Sequence, residues 1–235
     1  MWGDIAIAFL LGLVTAFVVT PFSMRIAKKY GAIDVPNDRR VNKKPMPRLG
    51  GIAVIAGFLV SAIYLIITMR IENNIDFITD GLGKKLLGFL FGAMVLGITC
   101  YIDDVKGISP LVKLAGQLIA AIIVVSCGVR IDNFTIPFKE NSIMINEVIS
   151  YILTIGWIVG ITNAINLIDG LDGLSSGITL IACISMLIIF SLNESPLIAI
   201  ILITALAGAI VGFLPYNFNP AKTFIGDVGS NFMGY

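Results

Sequence analysis

The chain has 235 residues, of which 57% are hydrophobic and only 13% charged, and its net charge is +1. Soluble domains carry charge on roughly a quarter of their residues. The composition therefore excludes an ordinary water-soluble fold, because there are too few polar residues to cover its surface. We predict an integral membrane protein that forms a single domain over residues 1–235, and we expect no nucleic-acid partner.

Seven uncharged stretches predict membrane-spanning helices. A helix needs roughly 17–25 residues to cross the hydrocarbon core of a bilayer, and backbone groups inside lipid must be satisfied within the segment. None of the stretches alternates as a strand would, so the predicted fold class is all-α: a polytopic membrane helix bundle with seven spans and the start of an eighth. In chain order the stretches are 5–22, 51–69, 86–102, 114–129, 148–168, 174–192 and 196–215.

The connections between these spans differ in charge. If the spans alternate, eleven of the sixteen Lys and Arg residues lie on one side, eight of them in the loop 23–50. The positive-inside rule then places this loop in the cytoplasm and the N-terminus outside. Loops 103–113, 163–173 and 216–229 fall on the same side. On the opposite face, residues 129–146 alternate weakly and predict a short hairpin with a turn at 139–141.

Acidic and amide side chains cluster in the cytoplasmic connections. Asp103 and Asp104 follow the third span, where adjacent carboxylates are costly and indicate a cation, a proton or a helix cap. "FIGDVGS" (224–230) places Asp227 between two glycines. In "NAINLIDGLDGL" (163–174), four polar residues recur every three positions, along one side of a helix or of its unwinding end. Each motif alone is compatible with a cap or a turn, but the shared face favours a common site. The four residues of the second motif are Asn163, Asn166, Asp169 and Asp172.

Oxygen ligands of this kind suit a hard cation. Mg²⁺ takes one or two carboxylates and keeps positions for water and substrate phosphate. We expect Asp103, Asp169 and Asp227 to converge around one divalent ion, Mg²⁺ or Mn²⁺. The neighbouring basic stretch 39–48 favours a phosphorylated substrate, although such residues also bind anionic lipid. The combination indicates phosphoryl transfer, where catalysis is largely positioning and charge neutralisation.

Four motifs, taken in order, resemble those of the polyprenyl-phosphate N-acetylhexosamine-1-phosphate transferases, also called glycosyltransferase family 4. They are "RRVNKKPMPRLGG" (39–51), "YIDDVKG" (101–107), "NAINLIDGLDGL" (163–174) and "FIGDVGS" (224–230). The resemblance implies a Mg²⁺-dependent enzyme of the bacterial cytoplasmic membrane that starts a cell-envelope glycopolymer. Such enzymes transfer a sugar-1-phosphate from a UDP-sugar to a polyprenyl phosphate and release UMP. "PMPRLGG" and Ile168 resemble the branch that uses UDP-N-acetylglucosamine and undecaprenyl phosphate.

The same resemblance implies roles for individual residues. Asn166, Asp227 and Asp104 would lie at the metal, and Asp103 would be the base that keeps the lipid phosphate deprotonated. The catalytic residues would then be Asp103, Asp104 and Asp227. Both a one-step attack and a route through a phospho-aspartate stay open. The substrate-binding residues would include Asp169 and Asp172, which would line the uridine and sugar-diphosphate pocket, together with Asn163 and Asn166. Arg39, Arg40 and Arg48 would hold phosphate or the lipid head group.

Two departures from the family pattern concern histidine. Asn42 stands where the family usually has His, and the chain contains no His at all, whereas family members carry a His-rich motif near their C-terminus. The sequence stops at Tyr235, shortly after an eighth span would begin. We therefore expect a domain that is incomplete at its C-terminus and has little or no activity alone.

Two other functions stay open. The phospho-N-acetylmuramoyl-pentapeptide transferases of peptidoglycan synthesis perform the same chemistry on another donor. A cation- or proton-coupled transporter would hold its carboxylates near the middle of the bilayer rather than at span ends. The expected partners are the UDP-sugar, the polyprenyl phosphate and membrane lipid, and a homodimer is left open.

Overall fold

The computed structural model describes residues 2–36, 44–73, 81–135, 142–193 and 196–235. Within these ranges the chain forms eight helices and four short strands, which confirms the prediction of an all-α helix bundle. The helices are α1 Trp2–Tyr30, α2 Gly51–Asn73, α3 Gly81–Lys106, α4 Pro110–Ser126, α5 Glu147–Ile168, α6 Leu174–Leu192, α7 Leu197–Asn217 and α8 Gly226–Gly234.

Each predicted span corresponds to one helix, and α8 is the predicted start of an eighth. Six of the described helices are long and apolar enough to cross a membrane, so this is a multi-pass membrane protein, whereas α4 has only 17 residues. α3 continues beyond its apolar stretch and carries Asp103 and Asp104 in its last turns. The number of spans and the side of the N-terminus stay predictions.

One half of the bundle is built on α7. α1 packs along α7 and α2, and α6 covers another side of α7. Gly208 and Gly212 of α7 lie directly against the backbone carbonyl groups of Phe9 and Leu13 in α1, where a Cβ atom would overlap them. Small residues that let two backbones approach are typical of helix pairs in membranes, where hydrophobicity alone does not hold helices together.

The other half surrounds α8. This helix packs against α3, α5 and α2, and α4 lies against both α3 and α5. Gly51, the first residue of α2, touches the backbone of Gly229, so no larger residue fits there. The first turn of α8 therefore lies beside the C-terminal ends of α3 and α5 and the N-terminal ends of α2 and α4.

Two small antiparallel ladders complete the fold. β1 (Ile33–Asp34) pairs with β2 (Met46–Pro47). The Pro47 carbonyl then accepts hydrogen bonds from the Phe224 N–H at 2.8 Å and the Thr223 hydroxyl at 2.9 Å, which ties the segment after β2 to the start of α8. β3 (Asn133–Thr135) pairs with β4 (Ser142–Met144). This pair confirms the predicted hairpin, while its predicted turn at 139–141 lies outside the described residues.

Candidate active site

The candidate site begins at the N-terminus of α8, which is capped by Asp104. The two Asp104 carboxylate oxygens accept hydrogen bonds from the Asp227 N–H at 3.0 Å and the Val228 N–H at 2.9 Å. Gly226 has a φ of +71°, and a Cβ there would overlap the carbonyl oxygen of Arg48. The Gly-Asp sequence is thus required by the turn, since glycine alone enters this conformation without strain. A carboxylate at a helix N-terminus also interacts favourably with the helix dipole.

Arg48 joins two of the predicted carboxylates. Its Nη2 lies 2.8 Å from Asp104 Oδ1 and 3.0 Å from Asp227 Oδ2, and its Nε donates to Asp104 Oδ1 at 2.9 Å. The Asp104 side chain is fully buried, whereas that of Asp227 is 19% exposed. The structure therefore uses Asp104 to orient Arg48 and α8, and leaves an edge of Asp227 accessible.

Lys113 is a second cation in the site, and sequence analysis counted it only toward topology. Its Nζ lies 2.9 Å from Asp227 Oδ1 and 3.3 Å from Asp103 Oδ2, and it donates to Asn166 Oδ1 at 3.2 Å. The hydroxyl oxygen of Ser109 caps α4 and sets the first turn from which Lys113 projects. A single lysine at the start of an apolar helix, ten residues after Asp103, is the signal that could have found it.

Asp227 is the centre of this network. Besides both cations, it accepts a hydrogen bond from Asn166 Nδ2 at 2.6 Å, and the same Nδ2 donates to the Ser230 hydroxyl at 2.8 Å. Burial by itself raises the pKa of Asp227, but hydrogen bonds from Lys113 and Asn166 and the charges of Lys113 and Arg48 outweigh it. The net pKa is below the ordinary value, so Asp227 is ionised.

Asp103 lies beside this centre. Its Oδ1 accepts the Ile108 N–H at 3.0 Å, and its other oxygen faces Lys113. The side chain is 13% exposed, so part of the carboxylate stays open to a ligand. We refer to Asp103, Asp104, Asp227, Arg48 and Lys113 together as the acidic centre.

The remaining acids follow the end of α5. Asp169 accepts a hydrogen bond from the Ser175 hydroxyl at 2.6 Å. Burial raises the pKa of Asp169 to about 6, although the Ser175 hydrogen bond opposes the shift. Asp172 accepts from Asn219 Nδ2 at 3.1 Å and from the Ala221 N–H at 3.0 Å. Asp172 thereby holds the loop between α7 and α8 against the end of α5.

A cavity of about 1030 Å³ borders part of the acidic centre and the two acids after α5, and its volume is at the upper end of small-molecule binding sites. Asp103, Asp104 and Asn163 are not part of its lining; Asp104 is buried behind Arg48, and Asn163 lies deeper along α5. Arg39 and Arg40 lie outside the described residues. Sequence analysis did not single out Asp34, Asn217 or Phe224, which also line the cavity. The predicted site residues in its wall are Arg48, Asn166, Asp169, Asp172 and Asp227.

The expectation that Asp103, Asp169 and Asp227 share one divalent ion is wrong for the described part of the chain. Among those residues, no three Asp, Glu, His or Cys side chains lie close enough to hold a metal ion together. Asp103 and Asp227 are instead joined through Lys113, and Asp169 faces Ser175. The physical reason is charge balance, since closely spaced carboxylates repel unless a cation compensates them.

The donor groups still fit a more open Mg²⁺ site. Asp227 and Asn166 line the cavity with a carboxylate and an amide oxygen. Lys113 lies against one oxygen of each residue, and Arg48 lies against the other Asp227 oxygen, so a metal ion would have to displace the Lys113 ammonium. Mg²⁺ is held by one or two carboxylates together with water and substrate phosphates, so these two residues and a diphosphate make a suitable set. Both Asp104 oxygens are already used by Arg48 and the α8 backbone. Its predicted role at the metal stays untested.

Comparison with known proteins identifies the same family as the motifs. The profile of glycosyl transferase family 4 matches residues 86–235. A probable undecaprenyl-phosphate N-acetylglucosaminyl 1-phosphate transferase of Bacillus subtilis (strain 168) is 42% identical, over 98% of this chain and 60% of the relative. A decaprenyl-phosphate N-acetylglucosaminephosphotransferase of Mycobacterium tuberculosis (strain CDC 1551 / Oshkosh) is 34% identical, over 94% of this chain and 55% of the relative.

A third relative has a different transferred group in its name. The phospho-N-acetylmuramoyl-pentapeptide-transferase of Staphylococcus epidermidis (strain ATCC 12228 / FDA PCI 1200) is 34% identical, over 96% of this chain and 72% of the relative. The chain thus spans somewhat more than half the length of the two N-acetylglucosamine-transferring relatives. Since the profile covers more than half of the chain, this protein is a member of glycosyl transferase family 4.

Proposed function

We propose that this protein transfers N-acetylglucosamine-1-phosphate from UDP-N-acetylglucosamine to undecaprenyl phosphate and releases UMP, which starts a lipid-linked cell-envelope glycopolymer. The acceptor and the transferred group are those in the name of the Bacillus subtilis relative, and the UDP-linked donor is what the resemblance of the motifs implies. The observation that carries the proposal is the acidic centre at the edge of a cavity of about 1030 Å³. Paired cations and carboxylates there suit a reaction in which phosphate charge moves from one partner to another.

The chemistry joins two phosphates. An oxygen of the undecaprenyl phosphate attacks the phosphorus that carries the sugar, a new P–O bond forms, and the bond between that phosphorus and the UMP oxygen breaks. Asp103 accepts any proton left on the attacking phosphate, so that the oxygen approaches as an anion. Lys113, 3.3 Å from Asp103, and Arg48 stabilise the two negative groups as they meet.

Asp227 and Asn166 would hold Mg²⁺ on the donor diphosphate. A bound Mg²⁺ would supply positive charge to the phosphate oxygens and stabilise the departing UMP. The lowered pKa of Asp227 supports this assignment, because the ligand must be ionised at neutral pH. Its burial would raise the pKa, and the Lys113 and Asn166 hydrogen bonds reverse that effect.

The part of the cavity that lies beside the end of α5 suits the nucleoside. Asp169, Asp172 and Asn217 line the cavity and offer hydrogen-bonding groups that do not belong to the acidic centre. We assign this part to uridine and the sugar diphosphate, and the edge near Asp103 to the lipid phosphate. The positive-inside count places the whole site at the cytoplasmic face of the bacterial membrane.

A radiochemical assay tests this proposal on the chain of residues 1–235 in nanodiscs. Because we expect little activity from residues 1–235 alone, the incubation is long and includes undecaprenyl phosphate, UDP-N-acetylglucosamine and Mg²⁺. A small yield of UMP and lipid-linked sugar that EDTA abolishes supports the proposal, and robust turnover would refute the expected loss of activity. Formation of neither product with either Mg²⁺ or Mn²⁺ would refute the proposal for this chain.

The pentapeptide-bearing donor is the second candidate, because the Staphylococcus epidermidis relative matches over 96% of this chain. Competition decides between the two donors. UDP-N-acetylmuramoyl-pentapeptide should not compete with UDP-N-acetylglucosamine at equal concentration. Preferential use of the pentapeptide donor would reverse the assignment.

A further inference from the structure

Three amide side chains form a buried layer next to the acidic centre. They are Gln117 of α4, Asn163 of α5 and Asn231 of α8, and we call them the amide layer. Gln117 and Asn231 are 2% and 0% exposed, and Asn163 is half-buried. Buried amides are costly unless they are hydrogen-bonded, so a membrane bundle has to compensate for each of them.

The layer is closed by its own hydrogen bonds. Gln117 Nε2 donates to Asn231 Oδ1 at 2.7 Å and to Asn163 Oδ1 at 3.3 Å. Asn163 Nδ2 donates back to Gln117 Oε1 at 2.7 Å and to the Val159 carbonyl at 2.8 Å. Asn231 Nδ2 donates to the backbone carbonyl of Asp227 at 2.8 Å. Each amide of one helix is therefore bonded to the amide of another.

The layer is in register with the reacting groups. Gln117 follows Lys113 by four residues in α4, and Asn231 follows Asp227 by four residues in α8. In α5 Asn163 precedes Asn166 by three residues. Residues three or four apart lie on the same face of a helix, so each helix presents one amide and one residue of the network around Asp227 on the same side.

Hydrogen bonds between helices restrict helix rotation. Because lipid tails are as apolar as the core, helices in a membrane are held by close packing and by interhelical hydrogen bonds, and hydrogen bonds require specific partners. A misplacement of about 1 Å at a reacting group can lower a rate by about 100-fold. The distances from Lys113 Nζ to Asp227 and Asn166, 2.9 and 3.2 Å, depend on how α4, α5 and α8 are rotated.

We propose that the amide layer is a positioning element for this active site. It fixes the rotation of α4, α5 and α8 so that Lys113, Asn166 and Asp227 meet, and it acts on kcat rather than on donor binding. The effect on kcat rests on the proposed function, whereas the effect on the geometry around Lys113 does not.

The decisive variant replaces both members of the 2.7 Å pair, as Gln117→Leu with Asn231→Leu. Replacing both partners of a buried hydrogen bond with apolar groups of similar size is far less destabilising than replacing one, because neither partner is left without a bond. Asn163 keeps its bond to the Val159 carbonyl. We expect a melting temperature close to wild type, a KM for UDP-N-acetylglucosamine within twofold of wild type, and a kcat at least tenfold lower.

Thr204→Val is the matched control. Thr204 is 3% exposed in α7, and its hydroxyl donates to the Ile200 carbonyl of its own helix at 2.7 Å. The change removes a buried hydrogen bond without touching α4, α5 or α8. It should leave kcat and KM unchanged. If the Leu double variant also kept the wild-type kcat, the layer would be purely structural and the proposal overturned.

A spectroscopic measurement tests the same geometry without turnover. The ¹⁵N signal of the Lys113 ammonium, assigned through its loss in Lys113→Arg, reports the hydrogen bonds to Asp227 and Asn166. We expect it to shift or to disappear through exchange in the Leu double variant and to stay in Thr204→Val. An unchanged Lys113 signal in the double variant would overturn the inference, even if wild-type protein released no UMP and the proposed function had failed.

Discussion

The two ends of α4 carry two very different groups of ion pairs. Beyond its C-terminal end, Arg130 lies 2.9 Å from Asp132 and 2.7 Å from Glu147, and the two acidic side chains are 53% and 69% exposed. At its N-terminal end, Lys113 lies between Asp103 and Asp227, and all three side chains are less than 20% exposed. In both places one basic residue pairs with two acidic residues, but only the group around Lys113 is largely buried.

This difference separates ordinary surface charge from a site. Exposed ion pairs contribute only about 0–1 kcal/mol to stability, and they cost little to form. Buried ion pairs lose hydration that their mutual attraction does not reliably recover. Stability does not explain the cost of burying the acidic centre, whereas the proposed phosphate-bearing substrate would. A change at the acidic centre should therefore affect activity far more than a matched change elsewhere.

The largest effect is expected from Asp227→Asn. The change keeps the size of the side chain but leaves Arg48 and Lys113 without the carboxylate they share, and it removes the predicted anionic ligand of Mg²⁺. We expect UMP release to fall by about 1,000-fold, the scale typical of lost electrostatic stabilisation. Asp132→Asn at the exposed pair should stay within about twofold. Equal losses in both variants would show that the contrast between the two ends has no functional meaning.

Lys113→Met should have the next largest effect. It removes the ammonium between Asp103 and Asp227, at 3.3 and 2.9 Å, and keeps the apolar stem. The two carboxylates then repel each other, and we expect kcat to fall by about 100-fold, with a smaller change in the KM for the donor. Arg130→Met is the control at the other end of α4. Steady-state kinetics of UMP release at saturating lipid measures both, and a wild-type kcat for Lys113→Met would contradict the role of this residue.

Gly226→Ala tests the turn that delivers Asp227. Gly226 and Gly31 have nearly the same backbone φ, +71° and +74°. A Cβ atom at Gly226 would overlap the Arg48 carbonyl oxygen, whereas a Cβ atom at Gly31 would meet no neighbour. An alanine at either position lowers the free energy of unfolding by about 1 kcal/mol, because it has to adopt the left-handed conformation. Only Gly226→Ala adds a steric overlap, so its melting temperature should fall clearly further than that of Gly31→Ala. Equal decreases in the melting temperatures of the two variants would mean that the turn tolerates a displacement of Arg48.

The elements of the bundle could be predicted because they depend on local composition. Long uncharged stretches must become helices in lipid, and all seven did. Asp103, Asp104, Asn166 and Asp227 stand out in a chain with 13% charged residues, and the structure does bring them together.

The pairing within the site could not be predicted, because it depends on how distant helices rotate. The position of Lys113 in the first turn of an apolar helix indicates a residue near the site, but the sequence does not show that its side chain points toward Asp227. Gln117 and Asn231 appear in the sequence as isolated polar residues in apolar or glycine-rich segments. Only the packing of α4, α5 and α8 makes them partners at 2.7 Å.

The smallest effect concerns the pH dependence of stability at Asp169. Its ordinary pKa is 3.8, and burial raises it to about 6 in the folded protein. Between these values the folded state binds more protons than the unfolded state, so the free energy of unfolding falls as the pH rises from about 4 to about 6 and changes little above. The amide introduced by Asp169→Asn does not ionise and can still accept the Ser175 hydrogen bond. This variant should therefore melt at a higher temperature than wild type at pH 8 and at the same temperature near pH 4. Thermal unfolding in detergent between pH 4 and pH 8 measures the difference in melting temperature between Asp169→Asn and wild type. If this difference did not change with pH, burial of the Asp169 charge would be ruled out as its cause.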